Sequence, residues 1–170
     1  MSKFVMPRPQ LLSLLNFKKH SPELVLSKLY DEQTFYKQFT KDLKSCSNEV
    51  IVESPYITST RMYSLTALFR NLVDRKIKCY IITRDPNDHD TAMMQQAEKE
   101  IRHFQTMGVQ VILTNDYSHR KLAIIDRKVL WEGSLNILSQ TCSQEIMRRI
   151  ESEQQAQDCF EFVKFGKYIY

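Results

Sequence analysis

The stretch SHRKLAIIDRKVLWEGSLN, residues 118–136, contains two apolar runs with polar side chains at their ends. KLAIID (121–126) and KVLWEG (128–133) have the length and the β-branched and aromatic content of strands. Because only Arg127 separates them, they predict a β-hairpin with a tight turn. Gly133 then allows a sharp turn, or a close approach of two backbones, as the chain leaves the second strand.

Polar side chains in this stretch stand at spacings that suit a phosphate group. Side chains alternate in direction along a strand, so His119 and Lys121 point to the same face and can meet a single anion. Asp126 lies an odd number of residues from both and points the other way, towards the core or the turn. Ser134 and Asn136 are again two residues apart and offer two neutral hydrogen-bond donors. A nucleophilic imidazole, a cation and fixed donors are what the transition state at a tetrahedral phosphate requires.

The rest of the chain alternates between helical and strand periodicity. Phe35, Phe39 and Leu43 recur every four residues, which indicates an amphipathic helix, and several later apolar runs are short enough for buried strands. The order βαβαβ, followed by the hairpin, predicts an α/β fold in which a mixed β-sheet is flanked by helices on both faces. Helices are predicted over 31–45, 60–76, 93–107 and 151–164, and further strands within 48–55, 78–83, 109–114 and 145–150.

Residues 1–30 are interpreted as an N-terminal helical extension, and residues 31–170 as the main domain. LLSLLNF (11–17) and ELVLSKLY (23–30) predict two short helices in the extension. Its role, as an oligomerisation arm, a lid or a docking element, stays open at this point.

Composition restricts the class of protein. The 170 residues are 42% apolar and 26% charged, which is typical of a folded globular domain with a real core. A net charge of +4 excludes histone-like binding but permits a nucleic-acid partner. The four cysteines form no CxxC pair, so reduced thiols in a cytoplasmic protein are expected. No apolar run reaches the ~18 residues of a transmembrane helix, and no carboxylate cluster suits Mg²⁺, so neither stable membrane insertion nor a metal or other cofactor is expected.

The motif resembles that of a known family. HRKLAIID fits the H-x-K-x4-D (HKD) signature of the phospholipase D superfamily, and GSLN fits its G-S-x-N continuation. The resemblance extends more weakly over residues 48–167. It is closest to the small bacterial phospholipase D-like nucleases and to similar domains attached to helicases and restriction enzymes, and it implies a mixed sheet between helices.

The resemblance also implies a two-step chemistry. His119 would attack the phosphorus and form a phosphohistidine, which water then hydrolyses. Lys121 and Asn136 would hold the phosphate oxygens, with Ser134 in support. In this family the aspartate, here Asp126, is usually structural. A further carboxylate often orients the histidine, and Glu145 is the candidate, with a solvated edge charge as the alternative interpretation.

Only one such motif occurs in the chain, whereas in this family a second copy supplies the general acid. None of His20, His89 and His103 is followed by a lysine two residues later. The sequence therefore predicts a homodimer in which two copies of residues 118–136 meet across a two-fold axis.

Side chains at the ends of two earlier strands are candidates for substrate binding. In open α/β sheets the carboxyl ends of parallel strands line the ligand crevice. Tyr56, Thr58 and Arg61 follow the first such strand, and Arg84 ends the next. The competing interpretation of SPYIT (54–58) is a simple loop leading into a helix cap.

Three functions are compatible with the sequence. The leading hypothesis is a metal-independent phosphodiesterase, an endonuclease acting on DNA as a homodimer. The second is a phospholipid hydrolase or phosphatidyl transferase, for which LLSLLNF followed by Lys18 and Lys19 is the one supporting feature. The third is a non-catalytic DNA-binding or dimerisation module of a helicase- or restriction-type partner, against which the intact motif argues.

Overall fold

The computed structural model describes residues 26–88, 90–116, 118–139 and 143–169. Within them, seven strands and four α-helices follow one another along the chain. The strands are β1 (Leu26–Asp31), β2 (Glu49–Glu53), β3 (Lys78–Arg84), β4 (Gln110–Thr114), β5 (Leu122–Ile125), β6 (Val129–Gly133) and β7 (Ile146–Glu151). The helices are α1 (Phe35–Ser45), α2 (Ser59–Asp74), α3 (Thr91–Thr106) and α4 (Glu153–Val163).

The seven strands form one sheet in the order β1-β7-β6-β5-β2-β3-β4. Its parallel half consists of β2, β3 and β4, which α2 and α3 connect. Residues 50–52 of β2 are fully buried, which explains why this strand is an unbroken apolar run in the sequence. Parallel strands end at the same edge of the sheet, so Glu53, Arg84 and Thr114 lie along one edge. We call this the upper edge.

The other half of the sheet is antiparallel. β5 pairs with β2 so that Leu122, its first residue, is opposite Glu53 at the upper edge. The predicted hairpin of β5 and β6 is confirmed. Asp126 and Arg127 at its turn have φ angles of 52° and 53°, and this left-handed backbone matches the twist of the two strands.

Helices cover both faces of the sheet, as predicted. On one face, α1, α2 and α3 bury an apolar core that includes Phe35, Phe69 and Phe104. On the other face, α4 and the segment after it bury a smaller core around Tyr80 and Phe165. The fold class predicted from the sequence is therefore confirmed.

One buried polar cluster ties the first core together. Trp131 is fully buried and its Nε1 donates to Oδ2 of Asp42 at 2.9 Å. Nε of Arg149 donates to the same oxygen at 2.8 Å, and Nη1 of Arg149 donates to Glu151. Trp131 is thus a packing residue, and Arg149 is held by carboxylates on two sides.

The helix predicted for ELVLSKLY is wrong over its described part. Leu26–Asp31 is an edge strand, β1, which pairs antiparallel with β7 from Leu26 opposite Glu151 to Asp31 opposite Ile146. The free backbone groups of β7 offer this segment a full ladder of hydrogen bonds, and this tertiary contact outweighs its weak helical periodicity. Residues 1–25, with the helix predicted for LLSLLNF, lie outside the described residues, so the extension predicted over residues 1–30 stays a prediction there.

The first long helix is shorter than predicted. It begins at Phe35 rather than Asp31, because residues 31–34 form a turn. The backbone N–H of Thr34 donates to Oδ1 of Asp31 at 2.8 Å, which stabilises that turn. Among the cysteines that the structure describes, Cys46, Cys79 and Cys159 are free thiols, as expected, while Cys142 and His89 lie outside the described residues.

Candidate active site

The segment before β5 brings His119 and Lys121 together at the upper edge. Nζ of Lys121 lies 2.6 Å from Nδ1 of His119 and donates to the carbonyl oxygen of His119 at 2.8 Å. The predicted common face of the two side chains is therefore observed. Nζ also lies 3.4 Å from Nε2. Because an ammonium can only donate, the shorter contact favours a neutral ring that accepts at Nδ1 and carries its proton on Nε2.

The surroundings of His119 favour its neutral form. Desolvation of the ring, followed by the positive charges of Lys121 and Arg84, lowers the pKa of His119 below its ordinary value of 6.5. Desolvation also lowers the pKa of Lys121, and the negative charge of Glu145 opposes this shift. A neutral imidazole beside an ammonium has the lone pair that a nucleophile needs, next to a charge that an anion needs.

Two of the four predicted substrate-binding residues lie at His119. The ring of Tyr56 meets the imidazole edge to face, with centroids 5.7 Å apart. Arg84, at the end of β3, acts on His119 through its charge and lies 3.6 Å from the carboxylate of Asp88. Tyr56, after β2, and Arg84, at the end of β3, thus place an aromatic ring and a cation close to the imidazole.

The other two candidates face a different loop. The backbone N–H of Thr58 donates to the carbonyl oxygen of Leu138 at 3.0 Å. The guanidinium of Arg61 lies over the ring of Tyr36, 3.6 Å from its centroid, and the hydroxyl of Tyr36 donates to the carbonyl oxygen of Ile137. Thr58 and Arg61 are therefore placed beside the loop that follows Asn136.

Asp126 lies at the opposite end of β5 from His119. Its carboxylate accepts the backbone N–H groups of Ser47, Asn48 and Glu49 at 2.8, 2.7 and 3.0 Å, and the thiol of Cys46 at 3.3 Å. Burial alone raises the pKa of Asp126, but these hydrogen bonds outweigh it and hold the pKa below its usual value. The geometry joins the hairpin to the turn between α1 and β2.

Gly133 and Ser134 form a tight junction between β6 and β7. A Cβ atom at Gly133 would overlap the carbonyl oxygen of Ile146 and come within 2.9 Å of Cα of Met147, so no larger residue fits. The hydroxyl of Ser134 accepts the backbone N–H of Ile146 at 3.1 Å, and the N–H of Ser134 donates to Ile146 in return. The close backbone approach predicted at Gly133 is therefore observed.

Asn136 supplies a buried polar atom to the loop after β6. Its side-chain oxygen is buried and accepts no hydrogen bond from the residues that the structure describes. Buried polar atoms are nearly always satisfied in folded proteins. The unused acceptor suits a hydrogen-bond donor of a ligand, whereas a phosphate oxygen needs the Nδ2 group of the same amide.

Glu145 lies beside Lys121 rather than in a hydrogen bond with His119. Its carboxylate accepts from the hydroxyl of Ser143 at 2.9 Å, and its backbone N–H donates to Glu32. Its charge opposes the desolvation that lowers the pKa of Lys121. Within the described residues, the polar contacts of the His119 ring are with Lys121, so the orienting role of Glu145 stays a prediction.

Sequence reasoning missed a buried carboxylate that binds the two neighbours of His119. Glu53 is only 2% exposed, and its carboxylate accepts from Ser118 at 2.6 Å and from Arg120 at 2.8 and 3.0 Å. A glutamate that closes the apolar run EVIV is the signal that could have identified it.

An apolar groove opens beside Lys121 on the α4 face of the sheet. It has a volume of about 430 Å³. Its lining includes Leu29, Ile146 and Phe162, of which 53%, 58% and 85% is exposed. Arg148 also lines the groove, and its Nη1 donates to the hydroxyl of Ser27 across the β1–β7 pair.

The described residues contain neither a membrane-spanning helix nor a metal-binding cluster. None of the helices there has the length and apolar character needed to cross a bilayer. In the same ranges, no group of three or more His, Cys, Asp or Glu side chains is arranged to hold a metal ion.

Comparison with known proteins identifies the family. A sequence model of the family described as "Cardiolipin synthase, PLD-like domain" matches residues 39–163. Since this match covers most of the chain, the chain belongs to the phospholipase D superfamily. Among curated proteins, no sequence matches this chain.

Solved structures share the fold at low sequence identity. Nuc from Salmonella typhimurium, a phospholipase D family member, has a TM-score of 0.65 at 13% identity, covering 81% of this chain and 91% of Nuc. NucT from Helicobacter pylori has a TM-score of 0.66 at 16% identity, covering 82% of this chain and 94% of NucT. Phosphatidylserine synthase from Haemophilus influenzae has a TM-score of 0.64 at 14% identity, covering 81% of this chain but 37% of the synthase.

Proposed function

We propose that this chain is a metal-independent phosphodiesterase that hydrolyses nucleic acid, DNA in preference to RNA, through a phosphohistidine intermediate. The observation that carries the proposal is the pair of His119 and Lys121 at the upper edge, with Nζ of Lys121 2.6 Å from Nδ1 of an imidazole whose pKa is lowered. This pair supplies both a neutral nucleophile and a cation for the phosphate oxygens.

The substrate itself would prepare the nucleophile. A phosphodiester anion is a stronger acceptor for the Lys121 ammonium than a neutral ring nitrogen, so it draws Lys121 away from Nδ1. The ring proton can then reside on Nδ1, and this N–H donates a hydrogen bond to a carboxylate. Glu145, beside Lys121, is the proposed acceptor. Nε2 is left with its lone pair for attack on phosphorus, and the P–O bond to the leaving group breaks.

The remaining site residues would hold the substrate. Lys121 and the Nδ2 group of Asn136 would donate to the phosphate oxygens, and Ser134 supports the junction that carries Asn136. Arg84 and Tyr56 lie beside His119 and would meet the phosphate and its neighbouring sugar or base. Thr58 and Arg61 are proposed to contact the strand further along, beside the loop after Asn136.

A second copy of the chain would supply the general acid. The leaving oxygen needs a proton from the side opposite to the nucleophile, and the chain has a single HKD motif. In a two-fold homodimer, protonated His119 of the partner subunit donates that proton, then removes one from the water that hydrolyses the phosphohistidine. The two imidazoles exchange roles by symmetry.

The direct test is hydrolysis in a chelator. Purified protein is incubated in EDTA with single-stranded DNA, duplex DNA and RNA, beside the His119→Ala variant. We expect DNA cleavage by the wild type alone, and a ³²P-labelled or acid-labile phosphoprotein when the reaction is quenched early. Equal cleavage by both proteins would overturn the assignment of His119. DNA binding without turnover at any pH would favour a non-catalytic module that serves a helicase- or restriction-type partner.

The shared active site has its own test. When wild-type and His119→Ala chains are mixed and allowed to exchange, a site that needs both imidazoles is active only in wild-type homodimers. Activity then falls with the square of the wild-type fraction, whereas independent monomers give a linear fall. A linear fall, or monomers alone in ultracentrifugation, would contradict the homodimer.

A phospholipid substrate is the second candidate, because the apolar groove adjoins Lys121. Acyl chains in a groove lined by Leu29, Ile146 and Phe162 would place a headgroup phosphodiester near the imidazole. Phe162→Asp separates the two candidates, since it would abolish lipid hydrolysis in phosphatidylglycerol vesicles. If that variant and the wild type cut DNA equally and neither releases a lipid headgroup, the phospholipid candidate is excluded.

A further inference from the structure

A buried carboxylate binds the residues on either side of the candidate nucleophile and has no part in the steps above. Glu53 is the last residue of β2 and is 2% exposed. Residues 50–52, before it, are apolar and fully buried. Burying a carboxylate costs free energy unless it is paired and hydrogen-bonded. The partners of Glu53 therefore indicate which function its burial serves.

The two partners of Glu53 are the residues on either side of His119. Oε1 accepts from the hydroxyl of Ser118 at 2.6 Å and from Nη2 of Arg120 at 2.8 Å. Oε2 accepts from Nε of Arg120 at 3.0 Å, which completes a bidentate pair. One side chain from β2 therefore holds the chain immediately before and immediately after the imidazole.

This arrangement restricts the freedom of His119. The segment from Ser118 to Arg120 precedes β5 and forms no strand or helix of its own, and the β5–β6 ladder reaches only to the carbonyl oxygen of Lys121, which accepts from the N–H of Gly133. Because both flanking side chains are bound to the end of β2, they restrain the backbone at His119. Reaction rates are sensitive to this, because a displacement of about 1 Å can cost about 10²-fold.

We propose that Glu53 is a positioning residue: it binds Ser118 and Arg120 so that the imidazole of His119 is held at the attacked phosphorus. This inference rests on the proposed function for its effect on rate, but the effect on the ring can be measured without any substrate. The competing explanation is an ion pair that contributes stability alone.

Glu53→Gln tests the proposal, with Glu49→Gln as its matched control. Glu49 lies at the other end of the same strand and also pairs with an arginine, Arg127, so both variants lose one strand-end ion pair. With bis(p-nitrophenyl) phosphate and DNA as substrates, we expect Glu53→Gln to lower kcat by about 10- to 100-fold with KM within about twofold. Glu49→Gln should keep kcat within about twofold. Equal losses in the two variants would assign Glu53 to stability alone.

NMR of the histidine rings in the full chain is the independent readout. The His119 ring signals are assigned by their loss in His119→Ala. We expect them to shift or broaden in Glu53→Gln and to stay unchanged in Glu49→Gln, while the signals of His103 on α3 are unaffected by either. Unchanged His119 signals in Glu53→Gln would overturn the positioning role. If the wild type hydrolyses nothing, the proposed function fails, and the ring spectra still decide the role of Glu53.

Milder variants cover the case in which Glu53→Gln does not fold. Ser118→Ala and Arg120→Lys each remove part of the anchor and leave the carboxylate with a partner. We expect each to lower kcat by about 3- to 10-fold at unchanged KM, and to shift the His119 ring signals. Wild-type kcat in both variants would contradict the proposal.

Discussion

The two ends of β5 carry residues of the same sequence motif in very different surroundings. At the start of the strand, His119 is exposed and its ring contacts Lys121, while the side-chain oxygen of Asn136 in the nearby loop accepts no hydrogen bond from the described residues. At the other end, the carboxylate of Asp126 accepts three backbone N–H groups and a thiol. Polar groups at the first end can therefore bind a ligand, whereas the carboxylate of Asp126 is occupied by hydrogen bonds within the fold.

This difference indicates that the motif has a functional part at His119 and a structural part at Asp126. Removing His119 should cost activity and little stability, because its exposed ring has few polar partners among the described residues. Removing Asp126 should cost stability and little activity, because the fold loses the hydrogen bonds that join the hairpin to the turn before β2. Variants at the two ends can therefore contradict or refine the distinction.

The largest effect is expected for His119→Ala. Loss of the nucleophile should reduce phosphodiesterase kcat by at least about 10³-fold, as for other nucleophile deletions. The free energy of unfolding, measured in urea, should stay within about 0.5 kcal/mol of wild type, the usual range for a surface substitution. His103→Ala on α3 is the control and should change neither quantity. A strong loss of stability in His119→Ala would contradict the division of tasks.

Asp126→Ala should show the opposite result. Three backbone N–H groups lose their acceptor, and we expect the free energy of unfolding to fall by about 2–3 kcal/mol at pH 7, with kcat within about threefold of wild type. Asp74→Ala, an exposed carboxylate on α2, is the control.

The same carboxylate predicts a pH dependence of stability. The pKa of Asp126 is lowered from 3.8, so its contribution is fully present above the unfolded pKa and is lost as pH falls through the folded pKa. The difference in stability between wild type and Asp126→Ala should therefore shrink below about pH 4. A difference that is constant down to pH 2 would contradict the assignment.

Asn136→Ala is expected to have an intermediate effect, and on activity alone. Its side-chain oxygen makes no described hydrogen bond, so removing it should leave the free energy of unfolding within about 1 kcal/mol of wild type. Loss of one phosphate contact should reduce kcat/KM by about 10-fold. Asn71→Ala on α2 serves as the control. Unfolding of the Asn136→Ala protein at room temperature would show that Asn136 belongs with Asp126 instead.

The smallest effect is expected in the pH profile. Attack needs a neutral His119, and the leaving group needs the protonated His119 of the partner subunit, so kcat/KM should have a bell-shaped pH profile. Because the pKa of His119 is lowered from 6.5, the midpoint of its acid limb should lie below pH 6.5. Arg84 contributes to that lowering, and Arg84→Gln should move the acid midpoint upwards by a few tenths of a pH unit. Arg102→Gln on α3 should leave the midpoint unchanged. A downward shift in Arg84→Gln would contradict the charge effect.

Much of the fold could be predicted from the sequence because the signals were local. The hairpin, the four α-helices and most strands follow from periodicity within windows of a few residues, although α1 begins four residues later than predicted. The exception is β1: Leu26–Asp31 is a strand because β7 lies beside it, and its partners are more than 100 residues away in the chain. Local propensity holds no information about such a neighbour.

The features of the candidate site likewise divide into those that the sequence predicts and those that depend on the tertiary structure. The common face of His119 and Lys121, the opposite direction of Asp126 and the tight junction at Gly133 all follow from the alternation of a strand and from residue size. The placement of Tyr56 against the imidazole follows from how β2 and β5 pair, and the spacing of the motif does not contain it. The contribution of each residue to catalysis stays a prediction.

The amino-acid sequence by itself determined the class of fold and the chemical identity of the reactive groups, since both depend on residue type and short-range spacing. Tertiary structure alone decided the surroundings of those groups. Glu53 reaches Ser118 and Arg120 across 65 and 67 residues of chain because β2 and β5 are neighbours in the sheet. The physical reason is that periodicity describes how a segment exposes its side chains, whereas desolvation, charge and hydrogen bonding depend on what the folded chain places against them.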